Sequence, residues 1–176
     1  MKPKSHIFFI GMMGTGKTTI GRRLAKEIGY PWVDMDQRLE MEFGFSIAEF
    51  FERYGEQAFR QKESHLLKRL VDETPSVITT GGGIVLKSEN RALMRKHGVI
   101  IHLYATPEEL SRRLQGDQSR PLLAGDLEKR IRKISKERAA LYRMADITID
   151  TTDQTPDQVL RRVKAFLINS SLHRSS

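Results

Sequence analysis

The sequence predicts an α/β protein built on a parallel sheet covered by helices on both faces. Two observations carry that expectation. Five short apolar runs, at 6–10, 31–33, 76–80, 99–104 and 145–149, alternate with longer segments of helical period. The first run leads directly into Gly11-Met12-Met13-Gly14-Thr15-Gly16-Lys17-Thr18, which matches G-x-x-x-x-G-K-[ST]. That motif is a phosphate-binding loop when a strand precedes it and a helix follows.

The elements justify themselves in order. Run 6–10, HIFFI, is largely apolar, as a strand of a sheet covered on both faces should be. After Gly16, residues Ile20, Leu24 and Ile28 recur every four positions with Arg22, Arg23, Lys26 and Glu27 between them, so this helix has one buried face and one wet face. Ser46 and Glu49 have capping-box spacing at the start of another helix. Thr106-Pro107 places proline at a first helical position, and Thr155-Pro156-Asp157-Gln158 repeats the design before the last helix. Between these, QGDQSRPLLAGD at 115–126 reads as a mobile loop. No repeat or linker interrupts the 176 residues, so one domain is expected over 1–168. NSSLHRSS at 169–176 lacks an apolar pattern and is expected to fray into a disordered tail.

Composition limits the function classes. With 39% hydrophobic and 30% charged residues the chain reads as an ordinary globular protein. No apolar run approaches the ~18 residues of a membrane span, so no membrane partner is expected. There are no cysteines, which excludes disulfides and thiolate metal sites and fits a cytoplasmic protein. A net charge of +8 suits either nucleic acid or small polyanions. No nucleic-acid recognition motif is present and aromatic residues are only 7%, which argues against the first.

The phosphate loop has a clear chemical logic. Its glycines let backbone N–H groups of Gly14, Thr15 and Gly16 turn inward toward phosphate oxygens, and the helix start at Lys17, Thr18 and Thr19 adds partial positive charge. Lys17 can reach the β- and γ-phosphates of ATP, and the Thr18 hydroxyl can bind Mg²⁺. No acid ends the third apolar run; the second ends in Val33-Asp34-Met35-Asp36. Carboxyl ends of parallel strands face the ligand crevice. Strand alternation would point Asp34 and Asp36 the same way, Asp34 toward Mg²⁺ and Asp36 toward an acceptor hydroxyl. Asp36 could equally cap the helix that follows.

At this point the chain resembles the shikimate kinases. The resemblance rests on Gly11–Thr18 of the phosphate loop, on Asp34 and Asp36, on Phe59-Arg60 with Glu63, on Gly81-Gly82-Gly83, on Arg120-Pro121-Leu122-Leu123 and on Glu137-Arg138-Ala139-Ala140-Leu141-Tyr142. It implies strand order 2-3-1-4-5 in a three-layer α/β/α fold with a mobile lid at about 113–126. It implies transfer of the ATP γ-phosphoryl group to the 3-hydroxyl of shikimate. Arg60 and Arg138 would hold the shikimate carboxylate, with Glu63 orienting Arg60 or touching the substrate. Arg120 would close from the lid onto the phosphates. Arg113 and Gln154 would lie on the adenine side, although some relatives carry a basic residue where Gln154 stands. Met12 and Met13 would pack or cover the loop. The chain is read as a monomer. Kinases of gluconate or of a nucleoside monophosphate are the nearest rivals. In Val77-Ile78-Thr79-Thr80-Gly81-Gly82-Gly83, a tight turn with positive φ would need one or two glycines; three suggest that shikimate approaches the backbone closely.

Overall fold

The computed structural model describes residues 5–115 and 124–173. The chain runs β1 (His6–Ile10), α1 (Lys17–Ile28), β2 (Trp32–Asp34), α2 (Met35–Phe43), α3 (Ile47–Leu70), β3 (Val77–Thr79), a 3₁₀ turn (Ile84–Leu86), α4 (Ser88–His97), β4 (Gly98–Tyr104), α5 (Pro107–Gln115), α6 (Ala124–Tyr142), β5 (Ile147–Asp150) and α7 (Pro156–His173). The five strands form one parallel sheet in the order β2-β3-β1-β4-β5. This is the order that the resemblance implied.

Two cores separate the layers. Phe8, Ile10, Ile78 and Ile100 on one sheet face pack with Leu39, Phe59, Leu67, Ile131 and Tyr142 from α2, α3 and α6. Ile7, Phe9, Val77 and Ile101 on the other face pack with Ile20, Leu24, Val159 and Val163 from α1 and α7. Alternation along β1 sends successive side chains to opposite cores, which is why every residue of that strand is buried. Among the described residues no helix is long and apolar enough to cross a membrane.

The helix caps follow the sequence. Ser46 Oγ accepts from the Glu49 N–H at 3.1 Å, and Thr155 and Gln158 cap each other reciprocally. Five features were not expected from the sequence. Strand β2 extends to Asp34, and Asp34 rather than Asp36 caps α2, with its Oδ1 accepting from the Gln37 N–H at 3.1 Å. Met35 is already helical, so strand alternation does not relate Asp34 and Asp36. Helix α3 breaks at Gly55, whose φ of 80° and ψ of 172° are not helical; this re-aims its second half, which carries Arg60 and Glu63. Gln115 closes α5 and Ala124 opens α6, so helices take both ends of the segment read as a loop. Arg120 and the middle of the expected lid, 116–123 of about 113–126, lie outside the described residues. Finally, α7 continues to His173, past the point where fraying was expected, because regular backbone hydrogen bonding does not require an apolar face at every turn.

Candidate active site

The phosphate loop sits between β1 and α1, with Gly11, Gly14 and Gly16 all at positive φ. Lys17 is 9% exposed and its ammonium donates to the carbonyls of Gly11 (2.7 Å) and Met12 (2.9 Å). The charge is thus folded over its own loop. Thr15 is buried, and its hydroxyl donates to the Met12 carbonyl at 2.8 Å. Met12 packs into the core while Met13 is exposed. Thr18 and Thr19 are exposed at the start of α1.

Asp34 joins three elements. Its Oδ2 accepts from the Thr18 hydroxyl on α1 and the Thr79 hydroxyl on β3, each at 2.9 Å, while Oδ1 caps α2. The Thr18–Asp34 pair offers two hard oxygen ligands beside the phosphate loop, a donor set that suits Mg²⁺.

Asp36 begins a second cluster on the β2–β3 side. A Cβ placed on Gly81 would lie 2.9 Å from Asp36 Oδ1 and 3.1 Å from Glu63 Oε2. On Gly82 it would lie 3.2 Å from Arg138 Nη1, and on Gly83 it would overlap the Arg60 guanidinium. None of these three glycines has positive φ. The turn explanation therefore fails. What fills the space over the glycines is the chain's own carboxyl and guanidinium groups, so a substrate needs no direct contact with the backbone to account for them.

Arg60 donates through Nη1 to Glu63 Oε1 at 2.9 Å and through Nη2 to Glu56 at 3.3 Å. Glu63, three residues on, is 1% exposed, and burial pushes its carboxyl up to about 7 although the Arg60 charge opposes this. Arg138 is half-buried. Its basic neighbours Lys129, Arg130, Arg132, Lys133 and Lys136 on α6 are all exposed. Helical phase alone turns Arg138 inward from that crowd.

Several participants had no role assigned from the sequence. Tyr142, one turn beyond Arg138, donates its hydroxyl to the Gly82 carbonyl at 2.8 Å and stacks on His102 of β4, with ring centroids 4.6 Å apart. Burial, and then the Lys17 charge, lowers His102 to about 4. Its Nδ1 lies 3.1 Å from the Thr148 hydroxyl. A cavity of about 330 Å³, reached by Met12, His102, Ala139 and Thr148, opens behind this stack.

Arg113 ties α5 to the phosphate loop. It donates to Glu109 Oε1 (2.7 Å), to the Gly14 carbonyl (3.2 Å) and to the Thr151 hydroxyl and carbonyl (3.0 and 2.8 Å). Hydrogen bonds from Arg112, and then from Arg113, hold the Glu109 carboxyl down at about 2. Gln154 is exposed in the loop after β5 and its N–H donates to the Thr151 carbonyl. The structure thus gathers Asp36, Arg60, Glu63, Gly81–Gly83 and Arg138 in one cluster, with Lys17, Thr18 and Asp34 at the phosphate loop and Arg113 at its far side.

Comparisons with known proteins bear on the family and the fold. The family model for shikimate kinase matches residues 13–168. A shikimate kinase of Caldanaerobacter subterraneus is 43% identical over 159 residues, 90% of this chain and 93% of its own length. One from Enterococcus faecalis is 43% identical over 160 residues, covering 89% and 95%. The solved structure of shikimate kinase from Acinetobacter baumannii in complex with shikimate superposes with a TM-score of 0.89 at 33% identity, over 96% of this chain and 95% of that one. With the phosphate loop, the sheet order and the glycine-lined cluster of carboxyl and guanidinium groups all in place, the chain belongs to the shikimate kinase family.

Proposed function

We propose that the protein transfers the γ-phosphoryl group of ATP to the 3-hydroxyl of shikimate, giving shikimate 3-phosphate and ADP. The observation that carries this reading is the cluster of Asp36, Arg60 and Arg138 packed over Gly81–Gly83. Shikimate has one carboxylate and three ring hydroxyls. Guanidinium groups present planar forks of donors that suit a carboxylate, so Arg60 and Arg138 hold that end. Asp36 then aligns the 3-hydroxyl and accepts its proton as the new O–P bond forms. Phosphoryl transfer proceeds through a loose transition state, so positioning by Asp36 counts for more than its basicity.

On the nucleotide side, N–H groups of Gly14, Thr15 and Gly16 and the Thr18–Thr19 start of α1 face the phosphates. Lys17 exchanges the carbonyls of Gly11 and Met12 for β- and γ-phosphate oxygens. Arg113, braced at Gly14 and Thr151, and the segment around Gln154 form the adenine side. Arg120 closes over the phosphates from the lid. Thr18 and Asp34 would hold Mg²⁺, directly or through water. When bound, that ion offsets charge on the phosphoryl oxygens. The protein acts as a cytoplasmic monomer.

Coupled ADP release tests this reading with purified protein and ATP, with shikimate, gluconate and a nucleoside monophosphate compared in parallel. Release that depends on shikimate alone is expected. Equal or faster release with either rival substrate would overturn the assignment.

A further inference from the structure

Glu63 has a feature that orienting Arg60 does not require. Its Oε1 accepts from Arg60, but Oε2 is fully buried and has no hydrogen-bond partner. A bare carboxylate oxygen without solvent or donor is costly. That oxygen points at the same spot as Asp36 Oδ1, both within 3.1 Å of the position a Gly81 side chain would fill. Among the described residues, the charged groups that face Glu63 are Arg60 on its own helix, Asp36 from α2 and Arg138 from α6, and the segment after β3 presents glycine there. Glu56, the other partner of Arg60, is exposed and water screens it.

Charge counting then sets the problem. Among the described residues, two carboxylates, Asp36 and Glu63, face two guanidinium groups, Arg60 and Arg138. An incoming carboxylate substrate adds one negative charge beside groups already largely buried, Glu63 at 1% and Arg60 at 15% exposure. Arg60 cannot neutralise both Glu63 and the substrate. The excess is relieved most cheaply at the group already least solvated.

We propose that Glu63 takes up a proton from solvent when the acid substrate binds, so that Arg60 passes from its internal partner to the substrate carboxylate. The step makes one O–H bond, at the unpaired Oε2, and consumes one proton from water or buffer. It also turns an orphaned acceptor into a donor beside Asp36. Burial already raises this carboxyl to about 7, so the free protein is poised for the change near neutral pH. Glu63 is a positioning residue here: it releases Arg60 and leaves the phosphoryl group untouched. Size-neutral discrimination follows, because a substrate lacking the carboxylate gives Glu63 no reason to protonate.

The inference rests on shikimate being the substrate, and the test separates the two. Shikimate binding to the full chain is measured by calorimetry at about pH 7.5 in two buffers with different heats of ionisation. The native protein is expected to take up roughly half a proton per shikimate bound, and its affinity should fall by up to about tenfold per pH unit above neutrality. Glu63→Gln should bind shikimate with no proton uptake and a flat affinity profile across the same range. Equal heats in the two buffers for the native protein would overturn the inference while leaving shikimate as the ligand. The same uptake in Glu63→Gln would also overturn it. No binding by the native protein would remove the substrate reading, and this inference with it. The native buffer comparison and pH profile need no variant, so absent uptake or a flat native profile overturns the inference even if Glu63→Gln fails to fold.

Discussion

Individual residues carry the chemistry, and their roles separate by which substrate they affect. Asp36→Asn keeps the shape of the side chain and removes the proposed proton acceptor. Turnover should fall about 10²–10⁴-fold with the affinity for ATP nearly unchanged, as read by steady-state kinetics beside nucleotide titration. Gly83→Ala places a methyl group into the Arg60 guanidinium, so Arg60 must move or lose its alignment. Loss of one charge-assisted contact raises the KM for shikimate by roughly 10–100-fold, while the KM for ATP stays within about twofold. Gly82→Ala meets Arg138 Nη1 at 3.2 Å, a tighter fit than ordinary contact but not an overlap, and the KM rise should be the smaller of the two. If Gly83→Ala only lowers stability and leaves both KM values alone, the glycines are packing residues and nothing more.

At the scale of elements, the site depends on how neighbouring segments are braced. Arg113 of α5 holds the Gly14 and Thr151 carbonyls together, and Arg132 pairs α6 to Glu108 of α5. Replacing Arg113 by Met leaves both carbonyls without that donor and removes a charge partner from Glu109. The KM for ATP should rise about tenfold with shikimate affinity far less affected, which competition kinetics would show. An equal loss for both substrates would mean that Arg113 supports the whole fold. Tyr142 works the other side: it is the strut from α6 to the Gly82 carbonyl, set in place by its stack on His102. Tyr142→Phe keeps the stack and deletes the strut. A stability loss of about 1 kcal/mol is expected in urea unfolding, together with weaker shikimate binding.

For the whole molecule, buried titrating groups give stability an uneven pH dependence. Burial lowers His102 from 6.5 to about 4 and lowers His6 as well. Both favour the neutral ring when folded. Their contribution is therefore complete above pH 6.5 and is lost as the pH falls, for His102 until about pH 4. Glu63 has the opposite sign: its folded value of about 7 lies above its ordinary 4.5, so stability falls as the pH rises between those values. The two effects oppose each other between pH 4.5 and 6.5. Unfolding of His102→Phe should show a shallower loss on the acid side, and Glu63→Gln should remove the loss toward neutrality, each by on the order of 1 kcal/mol per pH unit at most. Unchanged profiles in both variants would show that these groups are not buried as described.

The phosphate loop, the five strands and the caps at Ser46 and Thr155 were legible in the sequence because each is local: a period, a spacing or a cap is written in adjacent residues. The sheet order and the choice of Arg60 and Arg138 as the proposed clamp came through resemblance, and the fold carries that order. Only the tertiary structure decided which aspartate caps α2. Moving a helix start by two residues exchanges Asp34 for Asp36, and no local signal separates them. Apart from the resemblance, only it decided which arginine of a basic helix turns inward, since 3.6-residue phase matters solely against a fixed neighbour. The three glycines drew attention in the sequence, but the side chains they make room for come from α2, α3 and α6. The Asp34–Thr79 and Tyr142–Gly82 contacts join residues 45 and 60 positions apart, and distances of that kind exist only once the chain has folded.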